Sequence, residues 1–415
     1  MWGHAERNAV MQLMRNSVRP YAWGSKTAIA ALLGRPARTE PEAEVWIGAH
    51  PADPSGLDDP AAGGPLDEAI SRDPVGTVGA HVTRRFGPRL PFLLKILAAD
   101  APLSLQAHPS SRQAAEGFAR ESAAGVPLDS PLRNYKDPSH KPEMICALTR
   151  FHALCGFRDA AVTRRLLTEL KAPRLDRYLE LLADERDASG IALLFTAVLG
   201  AQREQLDLLL TEVIEACRSH LFHSEFWLEY STVVELAGRH PHDAGVLVSL
   251  LMNRVTLDPG EAIYLPAGQL HAYLSGFGVE IMANSDNVLR GGLTGKHVDV
   301  PELMTVLDFG AGNVQVIDAI ALDAGEWWYP TSSPEFRLSR IELAGVSHPV
   351  DHRGPQILLV VDGVITATDP AGRTVDVPRG RSLWIPAAEQ GTSIACHGTV
   401  FRATDGLQTT GSVAA

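Results

Sequence analysis

The run "GEAIYLPAGQLH" (Gly260–His271) is the clearest indication of the architecture, because it occurs a second time as "GRSLWIPAAEQG" (Gly380–Gly391). The offset is 120 residues throughout, without a gap. Each copy has a glycine turn, an aromatic and apolar run typical of a β-strand, and a proline corner. A chance likeness of two β-turns is the alternative, but a repeated unit of this kind favours two related β-lobes.

The chain before the first copy predicts a helical block inserted into the first lobe. The segments "AAVTRRLLTELKAPRLDRYLELLADE", "REQLDLLLTEVIEACRSHL" and "SEFWLEYSTVVELAGRH" repeat apolar residues at helical spacing. Short β-rich runs with turn residues flank this block on both sides. We therefore expect a first lobe from residues 1–150 and 246–315, a helical insertion over 151–245, and a second lobe over 316–415.

Composition limits the function classes. The chain has 415 residues and a formal net charge of −12, which argues against a general nucleic-acid surface. Its four cysteines are scattered without a CxxC pair, which is typical of reduced, mostly buried thiols in a cytosolic protein. The first residues lack the apolar core of a signal peptide, and no run is long enough for a membrane span. We expect a cytoplasmic protein.

The run "LSLQAHPS" (Leu103–Ser110) has polar residues where a core strand would have apolar ones. Residues two apart on a strand share a face, so Ser104, Gln106 and His108 are expected to point the same way. For a single histidine, a hydrogen-bonded core residue is the ordinary alternative. The pair of Gln106 and His108 makes a core histidine a weaker explanation but does not decide between the two alternatives.

Two further segments add metal-binding groups. Lys141 and Glu143 are two apart in "SHKPEMICAL", where the alternative is an edge-strand ion pair, and His271 follows the proline corner of the repeat. Its counterpart in the second copy is Gly391, so the histidine is not needed for the fold. Two imidazoles, a carboxylate and an amide suit zinc, and the lack of cysteine ligands favours a catalytic rather than a structural ion.

The polar stretch "GVEIMANSDNVLRGGLTGKHVDVPEL" (278–303) follows the His271 strand directly. A solvated loop is the alternative, but its position lets it fold over the metal. Arg290, followed by two glycines, has the planar fork that suits an anionic ligand.

These residues resemble one family, the type I mannose-6-phosphate isomerases, which are zinc enzymes of the cupin superfamily. The resemblance runs in order from about Pro20 to about Phe309, and the second lobe matches only generically. It rests on the segments "PYAWGS", "EVWIGAHP", "LPFLLKILAADAPLSLQAHPS", "YKDPSHKPEM", "FHALCGF", "YLPAGQLHAYLSGFGVEIMANSDNVLRGGLTGKHVDV" and "LDF".

The resemblance implies a fold and a set of site residues. The fold is mainly β, with two cupin-type (jelly-roll) lobes and an α-helical domain, the second lobe being metal-free. One zinc ion per chain is implied on Gln106, His108, Glu143 and His271, with Arg290 as the active-site arginine. The residues implied to line the sugar-phosphate pocket are Lys95, Ser104, Lys141, Tyr273, Glu280, Asp286 and Lys296, and Trp23 and Glu44 lie in matching segments.

The implied reaction interconverts mannose 6-phosphate and fructose 6-phosphate through a cis-enediol, linking glycolysis to mannose and GDP-mannose metabolism. Lys141 and Glu280 are the two candidates for the proton-transferring base, and the sequence does not choose between them. The small phosphosugar is the expected partner of a monomer that binds neither nucleic acid nor membrane. An iron-dependent cupin oxygenase and a non-catalytic sugar-binding protein are the rival functions.

Overall fold

The structure is a computed structural model that describes residues 10–58, 64–182, 188–310, 312, 314–323 and 325–407. Strands dominate both ends of this part of the chain. They are β1 (Gln12–Arg15), β2 (Ser17–Arg19), β3 (Glu44–Gly48), β4 (Gly56–Leu57), β5 (Phe92–Ala99), β6 (Leu105–Ala107), β7 (Glu143–Ala147), β8 (Phe151–Phe157), β9 (Met252–Leu257), β10 (Ala262–Leu265), β11 (His271–Ala283), β12 (Leu289–Gly292), β13 (Val316–Ile317), β14 (Ile320–Asp323), β15 (Glu326–Tyr329), β16 (Arg337–Pro349), β17 (Gln356–Thr368), β18 (Thr374–Pro378), β19 (Ser382–Ile385) and β20 (Ser393–Thr404).

Helices fill the middle of the chain and the connections around it. They are α1 (Ala28–Leu32), α2 (Leu66–Arg72), α3 (Pro74–Val78), α4 (Ala80–Phe86), α5 (Ser111–Ala123), α6 (Ala160–Glu169), α7 (Asp176–Leu179), α8 (Ala188–Leu199), α9 (Arg203–His220), α10 (Trp227–Arg239), α11 (Gly245–Val248) and α12 (Val300–Val306). Short 3-10 helices occupy Pro173–Leu175, Glu180–Leu182 and Ser249–Leu251. No helix in the described ranges has the length and apolar character that a membrane crossing requires.

The strands form two sheets of related topology. In the first sheet the order is β13-β10-β7-β11-β5-β3-β2, and β6, β8, β9 and β12 continue it through β11. In the second sheet the order β19-β17-β20-β16-β15-β14 has the same connectivity as β10-β7-β11-β5-β3-β2. The repeated sequence forms β10 and β19, and the glycine before each has a positive φ, 93° at Gly260 and 81° at Gly380. The predicted repeat is confirmed.

Strand alternation sends one set of side chains into the first lobe and the other set outward. Along β7, Met144 and Cys146 pack in the core between the lobes, whereas Ile145 and Ala147 pack inside the first lobe. Since residues two apart share a face, Glu143 faces the same way as Ile145, into the lobe.

The helical block packs against the outer face of the same lobe. Its core includes Leu105 and Ala107 of β6, and Ala272 and Leu274 of β11. The alternate residues of the same strands therefore face inward. Gln106 of β6 and His271 and Tyr273 of β11 are thus placed inside the lobe.

The predicted segment boundaries stay a proposal, and the sheets require two corrections to them. β8, placed within the helical segment 151–245, pairs with β9 and β11, so the first lobe continues to Phe157. β1 and β4, placed in the first lobe, extend the second sheet, because β1 pairs with β19. Periodicity identifies a strand but not its partner, and β1 and β4 have only four and two residues.

The prediction of buried thiols without disulfides is confirmed for the three cysteines whose side chains the structure describes. Cys146, Cys155 and Cys217 are free and buried. Burial raises the pKa of each of these three thiols to about 12, so all of them are protonated at neutral pH. The side chain of Cys396 and the N-terminal residues 1–9 lie outside the described part.

Candidate metal centre and active site

Three potential ligands converge inside the first lobe: His108 after β6, Glu143 at the start of β7 and His271 at the start of β11. Glu143 Oε2 lies 3.3 Å from His108 Nε2 and 3.4 Å from His271 Nε2. All three side chains are buried, and their ligand atoms lie within 4.8 Å of one another. Together they form a compact donor set for a single ion.

The hydrogen bonds of this cluster leave its inner atoms without partners. Nδ1 of His108 lies 2.7 Å from the carbonyl oxygen of Asn287, and Nδ1 of His271 lies 3.0 Å from that of Gln269. Nδ1–H therefore donates outward in each ring, and the Nε2 lone pair faces Glu143. Among the described residues, His108 Nε2, His271 Nε2 and Glu143 Oε2 are buried without a hydrogen-bond partner. Unpaired buried polar atoms are costly, so this arrangement fits a metal ion at their centre.

The charges in the cluster suit a divalent ion. Burial, opposed by Glu143, lowers the pKa of His108 to about 4, so its ring is neutral at physiological pH. Burial alone would raise the pKa of Glu143, but the ammonium group of Lys141 holds it well below its usual range. Lys141 Nζ is 2.8 Å from Glu143 Oε1, the oxygen that does not face the histidines. A neutral imidazole at His108 and an ionised carboxylate at Glu143 are protonation states that metal binding requires.

Strand register places Gln106 and Arg290 beside this cluster. Gln106 pairs directly with His271 on one side and with Arg290 of β12 on the other. Opposed residues of an antiparallel pair project to the same face, so the Gln106 side chain lies on the same side of the strands as His271. Arg290 Nη1 donates to Ser104 Oγ at 2.6 Å. No carboxylate among the described residues lies within ion-pair distance of Arg290, and its burial lowers its pKa.

A second buried cluster lies across the strands β3, β5 and β11. Lys95 Nζ lies 3.1 Å from Glu280 Oε2 and 3.8 Å from Glu44 Oε2, and Tyr273 donates its hydroxyl to Glu280 Oε1 at 2.9 Å. Burial would lower the pKa of Lys95, but Glu280 and Glu44 outweigh it and the pKa is raised. Burial raises the pKa of Glu280 despite Lys95.

One cavity of about 1090 Å³ joins these groups. It is lined by the following residues expected at the site: Trp23, Glu44, Lys95, Ser104, Gln106, Lys141, Glu143, Tyr273, Glu280, Asp286, Arg290 and Lys296. His108 and His271 are not among the lining residues and lie beside Glu143. The structure thus brings all the residues expected at the site to one place.

The comparisons with known proteins agree with this geometry. A model of the catalytic domain of type I phosphomannose isomerases matches residues 11–160. The mannose-6-phosphate isomerase of Escherichia coli (strain K12) is 37% identical over 398 residues, which cover 94% of this chain and 99% of that protein. The chain belongs to the mannose-6-phosphate isomerase family. The Homo sapiens mannose-6-phosphate isomerase is 32% identical over 413 residues, covering 90% of this chain and 92% of that protein.

Solved structures of mannose-6-phosphate isomerases match the whole fold, which confirms the predicted fold class. The Salmonella typhimurium enzyme, bound to its substrate fructose 6-phosphate and a zinc atom, has a TM-score of 0.86 at 35% identity. A second mannose 6-phosphate isomerase structure, with zinc bound, has a TM-score of 0.87 at 34% identity. Each match covers 96% of this chain and 100% of the other.

The sequence reasoning missed several residues at this isomerase site. Trp46 donates to Glu44 Oε2 at 2.6 Å, and its ring lies 5.5 Å from Lys95 Nζ. His50 lies 3.4 Å from Asp286 and lowers the pKa of that carboxyl group. The sequence could have identified both residues, since Trp46 and His50 belong to the segment "EVWIGAHP", which carries part of the family resemblance.

Two missed cations also line the cavity. Lys136 contributes, with Arg290, to lowering the pKa of Lys296. Lys136 belongs to the matching segment "YKDPSHKPEM", so it had a signal, whereas Arg239 ends α10 in the helical block and had none.

Proposed function

We propose that this chain is a zinc-dependent isomerase that interconverts D-mannose 6-phosphate and D-fructose 6-phosphate through a cis-enediol. The observation that carries the proposal is the set of unpaired ligand atoms on His108, Glu143 and His271, facing one another beside the main cavity. Zinc and fructose 6-phosphate bound in structures of family members support the same metal and substrate class.

We propose Gln106, His108, Glu143 and His271 as the zinc ligands. When bound, zinc supplies Lewis-acid polarisation of the substrate oxygen next to the carbon that loses its proton. The strands hold these ligands rigidly. The four residues lie on or next to β6, β7 and β11, and β11 pairs with both β6 and β7.

We propose Arg290 and Lys296 as the groups that hold the anionic end of the sugar phosphate. A guanidinium has five N–H donors, and Arg290 uses one of them on Ser104. Its remaining donors are available for a phosphate, since the described residues place no carboxylate on it. Arg290 also lowers the pKa of Lys296, so the two cations are close enough to act on one anion.

We propose Glu280 as the group that moves the proton between C2 and C1. Its carboxylate lines the cavity, and burial raises its pKa towards the range in which a carboxylate can both take and return a proton. Tyr273 and Lys95 fix its orientation. Lys141 is the less suitable base, because its ammonium group is paired with Glu143. We place Lys141 instead as a donor to substrate oxygens.

The remaining parts of the proposal concern partners and location. We propose a monomer that acts on a free phosphosugar in the cytoplasm and binds neither nucleic acid nor membrane. The net charge of −12 supports the absence of a nucleic-acid partner.

A coupled isomerase assay with metal analysis tests the function. Purified protein is stripped with a chelator, reloaded with zinc and supplied with mannose 6-phosphate, and fructose 6-phosphate is measured. Zinc-dependent turnover is expected. Zinc binding without turnover would instead support a sugar-binding protein, and oxygen consumption with iron would support an oxygenase.

A further inference from the structure

Asn287 is a fully buried residue that the proposed reaction does not use. Its side chain makes four hydrogen bonds, all to the backbone of the segment before β7. Its Oδ1 accepts from the N–H of Lys136 at 2.7 Å and of Asp137 at 3.2 Å, and its Nδ2 donates to the carbonyls of Asp137 at 2.7 Å and Ser139 at 2.8 Å. The exposed fraction of Asn287 is 0%. One carboxamide therefore fixes a whole turn of chain.

That turn leads directly into the candidate metal centre. Two residues after Ser139 comes Lys141, and two residues further comes Glu143. The turn is also held by Asp137, whose carboxylate accepts from Ser285 Oγ at 2.9 Å and from the N–H of Asp286 at 2.8 Å. Residues 136–139 and 285–287 thus form one unit, which we call the 137–287 clamp.

The backbone of Asn287 acts on a second ligand. Its carbonyl oxygen lies 2.7 Å from Nδ1 of His108 and is the partner that orients this ring. A carbonyl that accepts a hydrogen bond from one ring nitrogen fixes the tautomer of the imidazole and the direction in which the lone pair of the other ring nitrogen points. The two ligands lie far apart in sequence, but both depend on the position of this one residue.

We propose that Asn287 is a positioning residue that holds the His108 ring and the Lys141–Glu143 segment in register, so that the zinc site is formed before the ion binds. This inference rests on the ligand set proposed above. It adds a residue that touches neither the metal nor the substrate.

Asparagine suits this position because all four of its bonding sites are used. An amide oxygen offers two acceptor sites and an amide nitrogen two donors. Aspartate has the same shape, but it would place an oxygen against the carbonyls of Asp137 and Ser139. Alanine would leave the N–H groups of Lys136 and Asp137 and the carbonyl of Asp137 without this partner, in a region where unpaired groups are costly, whereas the carbonyl of Ser139 would keep Ser285 Oγ at 3.1 Å.

The test compares the same substitution at two nearby asparagines. Asn287→Asp breaks the clamp, whereas Asn284→Asp alters a side chain that donates to the carbonyl of Leu90 at 3.3 Å, away from residues 136–139. The zinc Kd of each variant is measured by competition with a chromophoric chelator. Outer partners of metal ligands typically change affinity by about 10- to 100-fold. We expect a loss of that size for Asn287→Asp and a change of less than about threefold for Asn284→Asp.

A second readout separates positioning from simple stabilisation. The Tm of each protein is measured with and without zinc. A residue that only stabilises the fold lowers both Tm values equally and leaves the Kd unchanged, and that result for Asn287→Asp would overturn the proposal. Positioning predicts that the rise in Tm on adding zinc is smaller in Asn287→Asp than in wild type.

Wild-type protein provides a test that does not depend on a folded variant. Coupling between ligand and clamp is reciprocal, so zinc should slow hydrogen–deuterium exchange of the backbone amides of Lys136, Asp137 and Ser139. Unchanged exchange in that peptide would contradict the inference. Failure of wild type to bind zinc would refute the proposed function itself, whereas tight zinc binding with an unaffected Asn287→Asp variant would refute this inference alone.

Discussion

Replacing Arg290 by lysine keeps the positive charge at the cavity wall but removes the planar fork. In the structure the guanidinium donates to Ser104 Oγ at 2.6 Å, and no carboxylate among the described residues neutralises it. Lysine has a single ammonium group, so it cannot hold Ser104 and grip a phosphate with two parallel bonds. The substitution removes at least one charge-assisted hydrogen bond to the substrate.

The size of the effect follows from that loss. A hydrogen bond to a charged group contributes about 1.5–3 kcal/mol. At about 1.4 kcal/mol per factor of ten, this is roughly 10- to 150-fold in kcat/KM. We therefore expect Arg290→Lys to lower kcat/KM by about 100-fold, with the zinc content unchanged.

Steady-state kinetics of zinc-loaded enzyme measure this effect and locate it. A rise in KM alone would make Arg290 a ground-state phosphate anchor, whereas a fall in kcat alone would place it at the reacting carbons. Arg112→Lys is the matched control, because Arg112 is exposed and pairs with Glu116 within α5. Near-wild-type kinetics for Arg290→Lys would show that the fork is not needed and would refute our interpretation of β12.

Three further predictions concern the metal, the base and the second lobe. Elemental analysis should find one zinc per wild-type chain and none in His271→Ala. The far-UV circular dichroism of this variant should stay near that of wild type. Full zinc in His271→Ala would refute the ligand assignment. Burial raises the pKa of Glu280, so kcat should fall as pH drops through this raised value, and Glu280→Gln should lower kcat about 10²- to 10⁴-fold and abolish that dependence. If Lys141→Met did so instead, Lys141 would be the base. In the second lobe, burial alone would raise the pKa of Glu326, but Arg402 and the hydrogen-bond partners of Glu326 lower this pKa below 4.5. The carboxylate of Glu326 therefore stabilises the fold above about pH 4.5. This stabilisation is lost as the pH falls through the lower, folded-state pKa. Glu326→Gln should therefore cost about 3 kcal/mol at pH 7 and much less once the pH is below the folded-state pKa of Glu326, and a pH-independent difference in Tm would contradict this.

The elements on which the site is built can be predicted from local sequence patterns. The period of two in "LSLQAHPS" places Gln106 and His108 on one face, and the structure has Leu105 and Ala107 packed against the helices on the other. The 120-residue repeat predicted β10 and β19, and the change of His271 to Gly391 indicated which copy holds the chemistry. These are local properties, set by backbone geometry within a few residues.

Only the tertiary structure decided which of these groups meet. Lys95 lies in a strand whose eight residues are all buried, where its sequence neighbours offer no reason for a lysine. The neighbouring strands supply the reason, since they place Glu280 and Glu44 beside its ammonium group. The clamp through Asn287 joins residues about 150 positions apart, and β1 crosses to pair with β19 of the other lobe. Partners of this kind are fixed by strand order and register, which depend on how the whole sheet closes. A charge can be buried only where that closure supplies its counter-charge, so the chain order alone does not reveal it.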